Sequence, residues 1–390
     1  MWSNKYIPVI LIVSQIFGLY GGMLQIPRVF AIVFLPILIS NFNQDLLKQR
    51  RVFYFFFVFI FHCLFSIFLA KEHSDSVLKE FCYAIINFII FLEIVNFSIS
   101  EKENTLFKSW IFFVALTIPI ALFEIKFNIH FPSSKFGNDD IIGGVGMLRT
   151  YAAINYGNYN LYNYILSVSF PIVLIGFKLL KHIRSKIFYS IIPISVLYIV
   201  LINGSRGALV CLLLCMLIYI MLFSSKKMMK RVFLFFITSI VFLLVFLSNN
   251  FSYIGTRIEA KGLEDNKRLE MINIGLDMLI DSNLLGVGPG NFERVAGDYT
   301  TGAILAPHNV FIEVLAQYGL FVFFLFIILI LYCFPLNLIF RYKDNRQIIL
   351  IMTLFTFLIA HTINSVYLSN PYFWIFLATL YSLSYQLKNK

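Results

Sequence analysis

Charge is what this sequence has least of. Only 13% of its 390 residues are Asp, Glu, Lys or Arg, against about 25% in soluble globular domains. That is too few to cover a water-facing surface, so a soluble enzyme is excluded. Cysteine is scarce as well: Cys63, Cys82, Cys211, Cys215 and Cys333 are the full set, and each falls in an apolar run. Such cysteines behave as small hydrophobes. Cys211 and Cys215 are one helical turn apart, the wrong spacing for a CxxC pair. Neither a disulfide nor a metal site is expected. No internal repeat and no low-complexity tract is present, and a disordered chain, a coiled coil and a disulfide-rich secreted module are excluded too.

Apolar and aromatic residues fill the space instead. The chain is 59% hydrophobic and 18% aromatic, with 45 Phe and 21 Tyr, and its mean hydropathy is +0.83. Lipid is the solvent such a chain expects. A helix crosses the hydrocarbon core with about 20 residues. The apolar runs fall at about 7–24, 26–40, 52–69, 77–99, 107–125, 161–177, 187–203, 206–223, 231–248, 309–334, 347–366 and 371–386. The expected fold is therefore all-α: a polytopic integral membrane protein of about twelve spans, one transmembrane domain over 1–390. The run at 26–40 is short and bracketed by Pro27 and Pro36. The first run has Lys5 before it and no small-residue cleavage site after it, so it reads as a retained span.

The net charge of +11 reports topology rather than nucleic acid. With a cytoplasmic N-terminus, 19 of the 31 basic residues fall inside, all in short segments. Five of the remaining twelve share one long loop, where the positive-inside rule has little force. Both termini are expected in the cytoplasm. Two outer segments are long, about 126–158 and 249–308, and long loops tend to be functional. In the second, Leu269, Ile272, Leu276 and Leu279 repeat at helical spacing among polar residues. That pattern predicts an amphipathic helix lying on the outer membrane surface or on the bundle. Gly286-Val-Gly-Pro-Gly290 predicts a tight turn or hinge and not a nucleotide loop, since no strand precedes it. Asn291 then suits the N-cap of a short helix.

Ionisable residues at the lip of a span are expensive and mark candidate sites. Arg206 follows the turn Asn203-Gly204-Ser205, on the side that the positive-inside rule disfavours. A snorkelling arginine is the plain alternative. Pro307-His308-Asn309 opens the tenth span on that same side, and Glu313, five residues on, is placed to pair with an arginine. Arg257, Lys261 and Lys267 fit a solvated basic face, whereas Arg268 starts the amphipathic helix and is expected to aim inward. Arg149, Asn158 and Asn160 precede or open the sixth span, and Tyr and Asn there suit either a sugar or a membrane interface. Arginines with one histidine suit an anionic substrate, because the guanidinium fork matches phosphate oxygens. A lipid pyrophosphate fits best, its tail in the bilayer and its head at the outer lip. Arginines would offset charge on the departing pyrophosphate, and His308 would activate or orient an attacking hydroxyl. Neither metal nor cofactor is called for.

Three stretches carry a family resemblance: Gly204-Ser-Arg206-Gly-Ala-Leu, Leu285-Gly-Val-Gly-Pro-Gly-Asn-Phe292, and Pro307-His308-Asn309 with Gly319 following. Together they resemble the O-antigen ligase and O-antigen polymerase superfamily, most closely over about residues 140–325. The resemblance implies about twelve spans and a large periplasmic loop late in the chain. It implies glycan transfer from undecaprenyl pyrophosphate, without nucleotide sugar, metal or cofactor, at the periplasmic face of a bacterial inner membrane. The acceptor would be another glycan or a lipid A core. It implies catalytic roles for Arg206, Arg268 and His308; from the residues themselves, Arg149, Asn158, Asn160, Arg257, Asn309 and Glu313 are expected around the substrates. The ligase-type pattern has Leu four residues after the arginine, where this chain has Val210. The two long outer loops favour a polymerase, which must hold two lipid-linked glycans. A lipid-linked oligosaccharide flippase is the rival from another class. Transporters, however, place ionisable groups near the midplane and show internal repeats. A metal-dependent dolichol-type transferase would need acidic residues in the short 21–28 turn, which has none.

Overall fold

The computed structural model describes residues 4–20, 24–48, 50–69, 74–99, 104–131, 151–180, 182–223, 266–300, 306–339, 344–363 and 368–389. The expected span at 231–248, most of the first long loop, and Arg149 and Arg257 lie outside the described residues. The helices are α1 (Ile7–Val13), α2 (Ile26–Ser40), α3 (Arg50–Leu69), α4 (Ser74–Ser98), α5 (Thr105–Phe127), α6 (Tyr159–Leu179), α7 (Ile183–Tyr189), α8 (Ile191–Ile202) and α9 (Arg206–Phe223). After the long loop come α10 (Asn266–Asp281), α11 (Phe292–Tyr299), α12 (Val310–Cys333), α13 (Leu336–Ile339), α14 (Asn345–Ala360) and α15 (Pro371–Lys388). The protein is a polytopic, all-helical membrane protein. Among the described residues, six helical segments are long and apolar enough to cross a membrane, α7 and α8 counting together as one, and four further apolar helices are shorter. The first expected span is a short helix that tightens into a 3₁₀ turn at Ser14–Phe17.

Two helices form the centre. α6 is buried from Leu161 to Gly176, and α15 from Pro371 to Ser384. Around α15 pack α4, α12 and α14, and α6 is flanked by α5, α9 and α14. Aromatic side chains fill the joints: Phe55, Phe56 and Phe59 of α3 surround Trp374, and Phe59 stacks on Tyr318 at 4.9 Å. Without water, hydroxyls inside such a bundle must find partners in the protein. Ser167, Thr379 and Ser382 accordingly turn back to carbonyls one turn earlier, and Trp110 donates to Thr379 at 3.0 Å.

Beyond those in the middle of the bundle, long-range polar contacts gather at its two ends. At one end Asn96 bonds to Asn41 and Asn43, Gln386 to Ser98, and Arg346 to Gln386. Those residues belong to or border the segments that the basic residues assign to the inside. The contacts at the opposite end join residues 15–28, 76–83, 124–163, 203–208, 268–320 and 361–372, all on the expected outer side. Arg28 is buried on α2, its guanidinium 3.5 Å from the centre of the Tyr83 ring, and donates to the carbonyl of Ser369. The Ser369 hydroxyl in turn donates to Glu80 at 2.6 Å.

The outer helix forms where the sequence pattern places it and packs on the bundle, with a buried face that coincides only in part with the leucine stripe. α10 buries Met271, Ile274, Gly275 and Met278 against α12 and α11; of the leucine stripe, Leu279 is buried and Ile272 half-buried, while Leu269 and Leu276 stay 59% and 39% exposed. The buried face is partly offset from the leucine stripe because it centres on a glycine. A Cβ at Gly275 would lie 2.4 Å from Ile312 Cγ2, so only glycine permits this approach. Leucine counting does not register a residue without a side chain.

Candidate active site

The start of α9 is built from its preceding turn. Asn203 is fully buried; its Oδ1 accepts from Ala152 N at 2.7 Å and its Nδ2 donates to Ala152 O at 2.9 Å. The same Nδ2 lies 2.9 Å from Asn163 Oδ1 on α6. Gly204 then takes a positive φ of 63°, and Ser205 precedes Arg206, the exposed first residue of the helix. The segment from Tyr151 is held from its other side by Glu124, whose Oε2 accepts from Ala153 N and Ile154 N at 2.9 and 2.7 Å. This buried, non-helical strap therefore fixes the turn under Arg206.

The start of α12 is set by Asn309, which caps it by accepting from Phe311 N at 2.9 Å and Ile312 N at 3.4 Å. His308 precedes it with φ 45°, a left-handed conformation uncommon outside glycine, although His, Asn and Asp adopt it more often than other residues. Residues held this way cluster at functional sites. Val310 N donates to the carbonyl of His361, just beyond α14, at 3.1 Å. Glu313 is buried and accepts from Leu368 N at 3.2 Å.

Arg268, half-buried in the first turn of α10, aims inward as expected. Its Nη1 donates to the carbonyl of Thr362 at 3.2 Å. The next residue, Ile363, abuts Gly207 of α9, where an added Cβ would sit 3.2 Å away. The turn His361–Ile363 thus touches three elements: the helix that carries Arg206, the arginine of α10, and the helix that follows His308.

The glycine-rich turn locks α10 and α11 onto α12. Val287 N and Gly288 N donate to the carbonyls of Ala316 and Gln317, at 2.8 and 3.0 Å. Leu320 N donates to Leu284 O, 3.0 Å away. α12 is broken there by Gly319, with φ 77° and ψ 175°. Asn291 occupies the N-cap position of α11, but its side chain spans two other partners. It accepts from Ser76 Oγ at 2.7 Å and donates to Val287 O at 3.1 Å. Tyr299 closes the unit by donating to Asp281, and that carboxylate pushes the phenol up to about 12.

Of the other expected residues, Asn158 caps α6 by accepting from Leu161 N at 2.8 Å, and Asn160 is half-buried in its first turn. His361, Asn203, Glu124, Arg28 and Glu80 were missed by the sequence reading. Arg28 met its own criterion of a cation on the outer side. The remaining four sit within or at the edge of apolar runs.

Two comparisons place this architecture. A family description reading "O-Antigen ligase" matches residues 190–327, which hold Arg206, Arg268 and His308. The chain is also 22% identical over 356 residues to the teichuronic acid biosynthesis protein TuaE of Bacillus subtilis (strain 168), covering 85% of this chain and 71% of that protein. Together they bear out the resemblance to the O-antigen ligase and polymerase superfamily read from the motifs.

Proposed function

We propose that this protein is a polysaccharide-building membrane glycosyltransferase of the O-antigen polymerase or ligase type. It would move glycan from undecaprenyl pyrophosphate to an acceptor hydroxyl at the outer face of the plasma membrane. The observation that carries this reading is the meeting of three site elements at the turn His361–Ile363. Two bring arginines, Arg206 and Arg268, and the third brings His308. The family match over that region and the likeness to a teichuronic acid biosynthesis protein support it.

In the proposed step the acceptor oxygen attacks the anomeric carbon of the donor sugar. The bond from that carbon to the pyrophosphate oxygen breaks, and undecaprenyl pyrophosphate leaves. Arg206 and Arg268 hold its oxygens and offset the charge that builds there. His308 takes the proton of the attacking hydroxyl, a role that suits an imidazole near neutral pH. Arg149 and Arg257 belong to the proposed donor site, with Asn158, Asn160, Asn309 and Glu313 around the glycans. The acceptor is a second lipid-linked glycan in the polymerase form, which the two long outer loops favour, and a lipid A core in the ligase form.

The test is turnover in proteoliposomes loaded with an undecaprenyl-pyrophosphate-linked oligosaccharide. Release of undecaprenyl pyrophosphate together with a lengthened or transferred glycan is expected. Movement of the intact lipid-linked donor between leaflets, with no bond broken, would overturn the reading in favour of a flippase.

A further inference from the structure

His361 lies beyond residues 190–327 and is fully buried where α14 ends. Its ring is stacked on Phe357 at 4.0 Å and meets Phe373 and Tyr164 edge-on at 5.5 and 5.2 Å. Nδ1 is 2.7 Å from the carbonyl of Phe357, and Nε2 is 3.2 Å from the hydroxyl of Tyr164. A carbonyl can only accept, so Nδ1 carries a proton. In the neutral ring Nε2 then holds the lone pair, and Tyr164 donates to it. An imidazolium in this aromatic surround would be a buried charge with heavy desolvation cost. The tautomer is thus set, and with it the ring orientation.

That ring is the clamp of the turn below the site. The carbonyl of His361 takes the first amide of α12, at Val310. Helix starts leave four amides without intrahelical partners. Here Asn309 takes two of them and His361 a third. The following carbonyl, of Thr362, takes Arg268, and the Thr362 hydroxyl closes the turn on Ile359 O at 2.8 Å. Two successive carbonyls therefore set where Arg268 sits and where the helix behind His308 begins.

We infer that His361 is a positioning residue, whose clamped ring holds the 361–362 turn and thereby registers Arg268 against His308. The inference rests on the glycosyl-transfer reading above. It assigns His361 no contact with substrate.

The experiment is a mutant cycle in proteoliposomes, with the undecaprenyl-pyrophosphate-linked oligosaccharide as donor. His361→Ala, His361→Asn and Tyr164→Phe are assayed alone and in an Arg268→Ala background. Asn keeps an N–H close to the Nδ1 position, so it should restore part of what Ala loses. His361→Ala should lower kcat about 10- to 100-fold, the scale of an ångström-level misplacement, with a smaller change in donor KM. In the Arg268→Ala background the same substitution should cost only about twofold, because residues acting through one another are not additive. An equal fold-loss in both backgrounds, or an unchanged kcat, would overturn the inference. If His361→Ala fails to insert, Tyr164→Phe and His361→Asn carry the same cycle. Full activity of Arg268→Ala alone would instead sink the site reading itself, which separates the two failures.

Discussion

The side-chain amide of Asn203 exchanges two hydrogen bonds with the backbone of Ala152, at 2.7 and 2.9 Å, as a neighbouring strand would. It thereby joins the turn before Arg206 to the strap near the end of the first long loop. The first prediction concerns that joint. Asn203→Ala leaves buried partners at Ala152 and Asn163 without their bonds. It should cost at least about 3 kcal/mol, at about 1–3 kcal/mol for each of the three orphaned groups. Thermal unfolding in detergent would read the loss, and an unchanged melting temperature would mean that the strap is held without Asn203.

Glycines give a contrast that needs no substrate. Gly319→Ala would place a Cβ 2.5 Å from Leu284 O, at a φ of 77°, so the lock between α10, α11 and α12 must shift. A loss beyond about 3 kcal/mol is expected, in the range where backbone strain and clash combine. Gly297 on α11 meets nothing within 4 Å, and Gly297→Ala should be neutral or stabilising by up to about 1 kcal/mol. Equal melting temperatures for the two variants would contradict the docking of the turn on α12.

Topology gives the third. The 19 basic residues assigned inside place Lys226 in the cytoplasm and Thr300 outside. Reporter fusions after those positions should give opposite answers. The same answer from both would move the span between them, and the site would lose its common face.

Chelation gives the fourth. The sequence offers no outer histidine pair and no acid in its first outer turn to hold a divalent ion, so transfer should survive EDTA. Asp139-Asp140 is the acidic pair that tests this view. Activity abolished by EDTA and restored by magnesium would refute it.

The all-helical membrane fold and the inward aim of Arg268 were legible because they depend on local composition: apolar runs and a cation opening an amphipathic helix. So was the turn at Gly286–Gly290, since turn chemistry is written in adjacent residues, and Asn291 takes the expected N-cap position of α11, although its side chain is drawn to Ser76 and Val287 instead of the helix amides. What stayed hidden depends on distant partners. His361 is one polar residue in an apolar run until Arg268, 94 residues earlier by way of Thr362, lands on its turn. Glu124 and Asn203 become legible only once the strap at Ala152–Ile154 lies between them. The packing face of α10 keeps Leu279 but takes in Gly275, whose contribution is the absence of a side chain.

The proposed mechanism divides the work, with Arg206 and Arg268 on the donor pyrophosphate and His308 on the acceptor hydroxyl. The most direct measurement pairs turnover with donor capture by a photoreactive undecaprenyl pyrophosphate glycan, in Arg206→Lys and His308→Asn. Asn tolerates the left-handed backbone at 308, so the imidazole is removed with little strain. Arg206→Lys keeps the charge but loses the bidentate fork, and it should be impaired about 100- to 1000-fold, with weakened capture. His308→Asn should lose about 100- to 10000-fold in turnover and capture donor as well as the parent does. Normal-length polysaccharide from His308→Asn, or full turnover by Arg206→Lys, would contradict the claim.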